Sequence, residues 1–128
     1  MYTRVVLRFL TSASLLSCFA VVNIANADTC NGYDLLQGTH TPHGGHAPWN
    51  VTMDLRRMTA SASKSDGARA ESVITEITCT PDKVFFTSST GGRLASCSGT
   101  IAGSTATGVC VLEGGEPSQD FSHTLSRR

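Results

Sequence analysis

The sequence predicts an all-β fold, a small antiparallel meander of about six strands that forms a curled sheet or small barrel with two disulfides. Several short segments alternate apolar and polar residues, as half-buried strands require. Turn-forming pairs such as Pro81-Asp82 and Gly91-Gly92 separate these segments, and no helical period lies between them. Apart from Cys18 near the N-terminus, the sequence has four cysteines, at positions 30, 79, 97 and 110, and this even number can pair completely.

The first 27 residues are predicted to be a secretory signal peptide. Arg4 and Arg8 precede an apolar stretch that ends at the A-x-A cleavage site Ala25-Asn26-Ala27. The alternative is a lipoprotein, because Leu15-Leu16-Ser17-Cys18 resembles a lipobox and would make Cys18 an acylated, membrane-anchored N-terminus. Cleavage after Ala27 gives an expected location that is secreted or periplasmic, whereas the alternative is a lipoprotein anchored at Cys18.

Cleavage after Ala27 would leave one small domain, too short for a two-domain enzyme. The whole chain balances 10 Lys and Arg against 10 Asp and Glu, so loss of Arg4 and Arg8 leaves a formal charge of −2. No basic field is present to attract nucleic acid. No later apolar run approaches the roughly 20 residues that span a bilayer, so no membrane span is expected after cleavage.

The domain is expected to begin with an irregular N-terminal arm over residues 28–48, followed by the β-meander domain over residues 49–128. The first predicted strand starts at Trp49, because Trp49, Val51, Met53 and Leu55 alternate with polar residues. Residues 59–72 carry no apolar side chain larger than alanine, and they are predicted to form a flexible loop in which a short helix stays possible.

Turn residues position the remaining strands. The sequence Thr80-Pro81-Asp82-Lys83 places proline at the second position of a turn and joins two β-prone segments into a hairpin. Gly91-Gly92 and Gly103-Ser104 form the next two turns. The predicted strands are residues 73–79, 84–87, 94–102, 105–113 and 120–126.

The disulfide pairing follows from one of these turns. A two-residue loop at Gly103-Ser104 pairs Ala102 with Thr105, and counting outward places Cys97 opposite Cys110. A non-hydrogen-bonded pair has a Cα separation of roughly 4.5 Å, which a disulfide tolerates. The sequence therefore predicts Cys97–Cys110 and, by elimination, Cys30–Cys79. Disulfides also imply an oxidising compartment.

Three stretches near the C-terminus resemble the closing strands of small bacterial lipocalin-like meander barrels. They are residues 98–103, residues 107–108 and Phe121-Ser122-His123-Thr124-Leu125-Ser126-Arg127. The resemblance extends over about thirty residues, and it implies a barrel that binds a ligand and does not catalyse a reaction. It assigns no individual ligand-binding residue.

Three histidines, His40, His43 and His46, recur at spacing three within the predicted arm. Neighbouring imidazoles suit Zn or Cu, so these residues are the candidate metal ligands and such an ion is the candidate cofactor. His123 could join them only if the arm folds over the last strand. No Ser-His-Asp arrangement or paired carboxylate is recognisable, so the protein is not expected to be an enzyme.

Two functions are therefore expected in order of preference. The first is an exported, non-catalytic β-protein that binds a small apolar ligand or a partner protein. A cavity lined by Trp49, Met53, Phe86 and Ile101 would favour the small ligand. The alternative is an extracytoplasmic Cu- or Zn-binding protein that uses the histidine arm.

Overall fold

Eight antiparallel strands close into a barrel in the computed structural model, which describes residues 30–114 and 116–128. Each strand pairs with its neighbours in sequence, and β1 closes the barrel against β8. The signal peptide and Cys18 fall outside the described residues, so both predictions stay predictions. The strands are β1 Leu35–Pro42, β2 Trp49–Asp54, β3 Thr59–Ser63, β4 Arg69–Cys79, β5 Lys83–Thr90, β6 Arg93–Ala102, β7 Thr105–Leu112 and β8 Gln119–Ser126.

The all-β class and the antiparallel meander are confirmed, but β1 lies in the segment predicted to be irregular. Its inward positions hold Leu36, Gly38, His40 and Pro42, so only one of the four is a large apolar residue. A Cβ on Gly38 would collide with the backbone of Ser122 on β8, so glycine is required where these strands approach. The apolar pattern therefore does not predict this strand. The strand is stabilised by its pairing with β8.

The predicted loop at residues 59–72 is also wrong, because it contains β3 and the start of β4. Ala60 and Ala62 lie opposite Met53 and Val51 on β2, and both alanines face the barrel interior. On β4, Ser72 lies opposite Ala60. Such small inward side chains give almost no hydrophobic periodicity, although the backbone ladders are continuous.

The core occupies one end of the barrel, where the chain enters and leaves. Leu36, Leu55 and Leu125 are each at most 2% exposed and fill the interior there. Above them, Gly99 on β6 lies opposite Gly108 on β7. A Cβ on either glycine would collide with the backbone of the facing strand and would also come within 2.8 Å of the Phe121 ring. The paired glycines therefore make the space that this ring fills.

Both predicted disulfides are present. Cys97 and Cys110 are directly opposed on β6 and β7 with their Cα atoms 4.0 Å apart, as the turn at Gly103-Ser104 predicts. Cys30–Cys79 has a Cα separation of 5.2 Å and attaches the residues before β1 to the end of β4. The two bridges indicate folding in an oxidising, extracytoplasmic environment. The described residues contain no helix long and apolar enough to cross a membrane.

Charged residues surround this closed end. The buried Asp34 carboxylate accepts a hydrogen bond from the backbone N–H of Arg128 at 2.9 Å, and Arg56 Nε lies 2.6 Å from its other oxygen. The hydrogen bond from Arg128 is the main reason that the pKa of Asp34 is lowered. Asp54 pairs with the Arg128 side chain at 2.7 Å. Arg128 is thereby attached to the residue that precedes β1 and to the last residue of β2.

Candidate functional site

A cavity of about 450 Å³ lies inside the opposite end of the barrel. The meander places four connections around its mouth, at residues 43–48, 64–68, 91–92, and 113–114 with 116–118. All eight strands contribute lining residues, so the cavity belongs to the barrel interior and not to a surface groove. Eight-stranded barrels have interiors that side chains just fill or that hold one small ligand.

Small side chains on one side of the barrel create this space. Four neighbouring strands, β3 to β6, turn alanine and serine side chains inward. At about 30 Å³ per water, the resulting volume corresponds to roughly 15 water molecules, which is enough for a ligand of about 10–20 non-hydrogen atoms. The small lining residues are Ala60, Ala62, Ala70, Ser72, Ser88 and Ala95.

The rest of the lining is mostly apolar. Trp49, Met53 and Phe86 line the cavity as expected, whereas Ile101 is buried in the core nearer the closed end and does not contribute. The Ser72 and Thr90 hydroxyls hydrogen-bond each other at 2.6 Å, so each of these polar wall groups already has a partner. An apolar ligand would therefore meet few groups that need water.

Two histidines form the polar feature at the inner end of the cavity. On β1 the lining stops at His40, whose Nε2 lies 2.9 Å from Nε2 of His123 on β8. His123 lies just beneath the lining and is 1% exposed. The rings pack at a centroid distance of 4.9 Å, next to Phe86 and Phe121. A hydrogen-bonded imidazole pair thus lies within an aromatic cluster.

Burial keeps this pair neutral. Desolvation lowers the pKa of His123 to about 3, and the neighbouring His40 acts in the same direction. Desolvation also lowers the pKa of His40, and a hydrogen bond with Gln119 partly opposes that effect. At neutral pH one imidazole must therefore donate a hydrogen bond while the other accepts it. Nδ1 of His123 is buried and has no hydrogen-bond partner among the described residues.

The mouth carries charged residues. Arg93 on β6 pairs with Glu116 at 2.8 Å, and the Lys64 ammonium lies 4.6 Å from the centre of the Trp49 ring. This cation–π contact covers part of the Trp49 ring. The entrance is therefore polar and the interior apolar, which is the usual arrangement of a small-molecule site.

The structure does not bring the three predicted metal ligands together. His40 lies inside the cavity, His43 contacts Asp120 at 2.8 Å on the exposed rim, and His46 lines the mouth. Among the described residues, no group of three or more His, Cys, Asp or Glu side chains is arranged to hold a metal ion. The arm does reach the last strand, as the role suggested for His123 requires, but only His40 contacts that histidine.

The His40–His123 pair is not evident from the sequence, because its two residues are 83 positions apart. The alternation Phe121, His123, Leu125 already turns His123 inward. The sequence does not reveal that β1 is a strand, so it does not predict that the His40 side chain turns inward.

These features define a small up-and-down barrel with an apolar cavity that opens at one end. No protein-family model, curated protein or solved structure matches the chain. The barrel and its cavity are therefore the main basis for inferring a function.

Proposed function

We propose that this protein is an exported, non-catalytic carrier that binds one small apolar ligand inside the barrel. The observation that supports the proposal is the cavity of about 450 Å³, which is mostly apolar and open at one end. A barrel with no binding role would gain stability by filling this space with larger side chains. Secretion through the predicted signal peptide is part of the proposal and agrees with the two disulfides.

The expected affinity follows from ligand size. Small ligands gain between roughly 0.3 and 1.5 kcal/mol per non-hydrogen atom, so about 15 atoms at about 0.5 kcal/mol give a micromolar Kd. The Cys97–Cys110 bridge fixes β6 against β7 beside the cavity, which limits the ordering that binding requires. The resemblance to lipocalin-like barrels also agrees with a binding role. The alternative of Cu or Zn binding has less support because His40, His43 and His46 are separated.

The single tryptophan provides the assay. Trp49 lines the cavity, so a neutral fluorescent probe such as N-phenyl-1-naphthylamine should receive excitation energy from it when bound. In the variant Ala62→Phe, the larger side chain occupies the cavity, and we expect binding at least about 10-fold weaker. The matched control is Ala102→Phe, at an exposed position outside the cavity, which should bind like the wild type. Equal binding by both variants, or no energy transfer in the wild type, would contradict the proposal.

A further inference from the structure

The His40–His123 pair has a polarity that its surroundings determine. If His40 donated from Nε2, the proton of His123 would lie on Nδ1, which is buried without a partner among the described residues. Buried N–H donors without acceptors are rarer than buried acceptors without donors. The favoured arrangement therefore has His123 Nε2–H donating to His40 Nε2. The unpaired site on His123 is then the lone pair on Nδ1.

This arrangement places the second proton of the pair on Nδ1 of His40. That nitrogen lies 3.9 Å from Cys110 Sγ, a disulfide sulfur and a weak acceptor at a long distance. Gln119 also lines the cavity, and among the described residues its side chain competes with a ligand for a hydrogen bond with His40. His40 and Gln119 therefore form a small donor-bearing region on the β1 and β8 wall of a mostly apolar cavity.

We infer that the ligand is a neutral apolar molecule with a carbonyl group at its buried end, and that His40 Nδ1–H donates a hydrogen bond to this group. The inference rests on the proposed function, since it specifies the ligand of the same cavity. A carboxylate is disfavoured at this depth, because the neutral imidazole pair supplies no counter-charge for a desolvated anion. The ligand class is thus a ketone, aldehyde, ester or amide of about 10–20 non-hydrogen atoms.

Three probes of matched shape test the inference by displacing N-phenyl-1-naphthylamine. They are 2-acetylnaphthalene, the near-isosteric hydrocarbon 2-isopropylnaphthalene, and 2-naphthoate. One neutral hydrogen bond predicts that the ketone binds about 3- to 10-fold more tightly than the hydrocarbon, and that naphthoate binds least tightly. Equal affinity for the ketone and the hydrocarbon would overturn the inference and leave the proposed function intact. If none of the three probes binds, both the inference and the proposed function are contradicted.

Variants locate the donor. His40→Phe should remove the preference for the ketone, whereas His43→Phe, the same substitution on the exposed rim, should keep it. The wild-type protein gives an independent test by ¹⁵N NMR of its imidazoles, which does not depend on the stability of a variant. We expect the proton of His40 on Nδ1 and a shift of that resonance with the ketone but not with the hydrocarbon. Protons found on His40 Nε2 and His123 Nδ1 would overturn the inference.

Discussion

Acid should destabilise the barrel through its buried histidines at a pH well above the titration of its carboxylates. The pKa of His123 is about 3 in the folded protein and 6.5 in the unfolded chain. Between these values the unfolded chain binds a proton that the folded protein does not. The free energy of unfolding therefore falls as the pH falls. The stabilising effect is complete above about pH 6.5 and is lost progressively towards pH 3.

The magnitude follows from the proton difference. One proton changes the free energy of unfolding by about 1.4 kcal/mol per pH unit, so His123 alone removes about 2–3 kcal/mol between pH 6.5 and pH 4.5. His40 acts in the same direction because its pKa is also lowered. The pKa values of Asp34 and Asp54 lie below 3.8, so these carboxylates stabilise the fold above that pH and lose their effect only below it.

Urea unfolding followed by Trp49 fluorescence at a series of pH values measures this slope. The double variant His40→Phe with His123→Phe should show a flatter profile between pH 6.5 and pH 4.5, since both titrating groups are removed from the aromatic cluster. The control His43→Phe should keep the wild-type slope. A wild-type free energy of unfolding that stays constant from pH 7 to pH 4.5 would refute the assignment of a neutral buried pair.

Three other predictions concern the barrel and its histidines. Gly108→Ala should destabilise the protein by about 1–3 kcal/mol in urea unfolding, because the added Cβ collides with the backbone of β6 at Ser98 and Gly99 and also meets the Phe121 ring, and an unchanged midpoint would contradict that packing. Replacing both cysteines of Cys30–Cys79 by alanine should cost about 4 kcal/mol, against about 3 kcal/mol for Cys97–Cys110, because the first closes a longer loop; the reverse order would count against chain entropy as the main effect. Calorimetric titration with Cu(II) and Zn(II) should give the same weak isotherm for the wild type and for a variant with His43 and His46 changed to alanine, whereas tight binding lost in the variant would restore the metal hypothesis.

Local turn chemistry was enough to predict part of the fold in detail. The two-residue turn at Gly103-Ser104 set the register that places Cys97 opposite Cys110, and this pairing is confirmed. The alternation that starts at Trp49 likewise marks β2. Both signals act over a few residues, so they do not depend on knowing how the barrel closes.

The cavity could not be predicted from the sequence for the same reason that β3 could not. Ala60 and Ala62 are too small to produce an apolar period, and their small size is also what leaves the interior of the barrel open. The histidine pair required a further step, because His40 and His123 meet only when β1 closes against β8. Closure depends on contacts distant in sequence, which periodicity within one segment does not report.

The most direct test of the carrier proposal is the position of a bound apolar molecule. The outer surface offers a competing apolar patch, where Val109 and Val111 on β7 are 42% and 62% exposed. Nuclear Overhauser effects from bound N-phenyl-1-naphthylamine to the side-chain methyl groups distinguish the two sites. We predict effects to the methyls of Met53 and Ala62, which line the cavity. Effects confined to Val109 and Val111 would contradict binding inside the barrel.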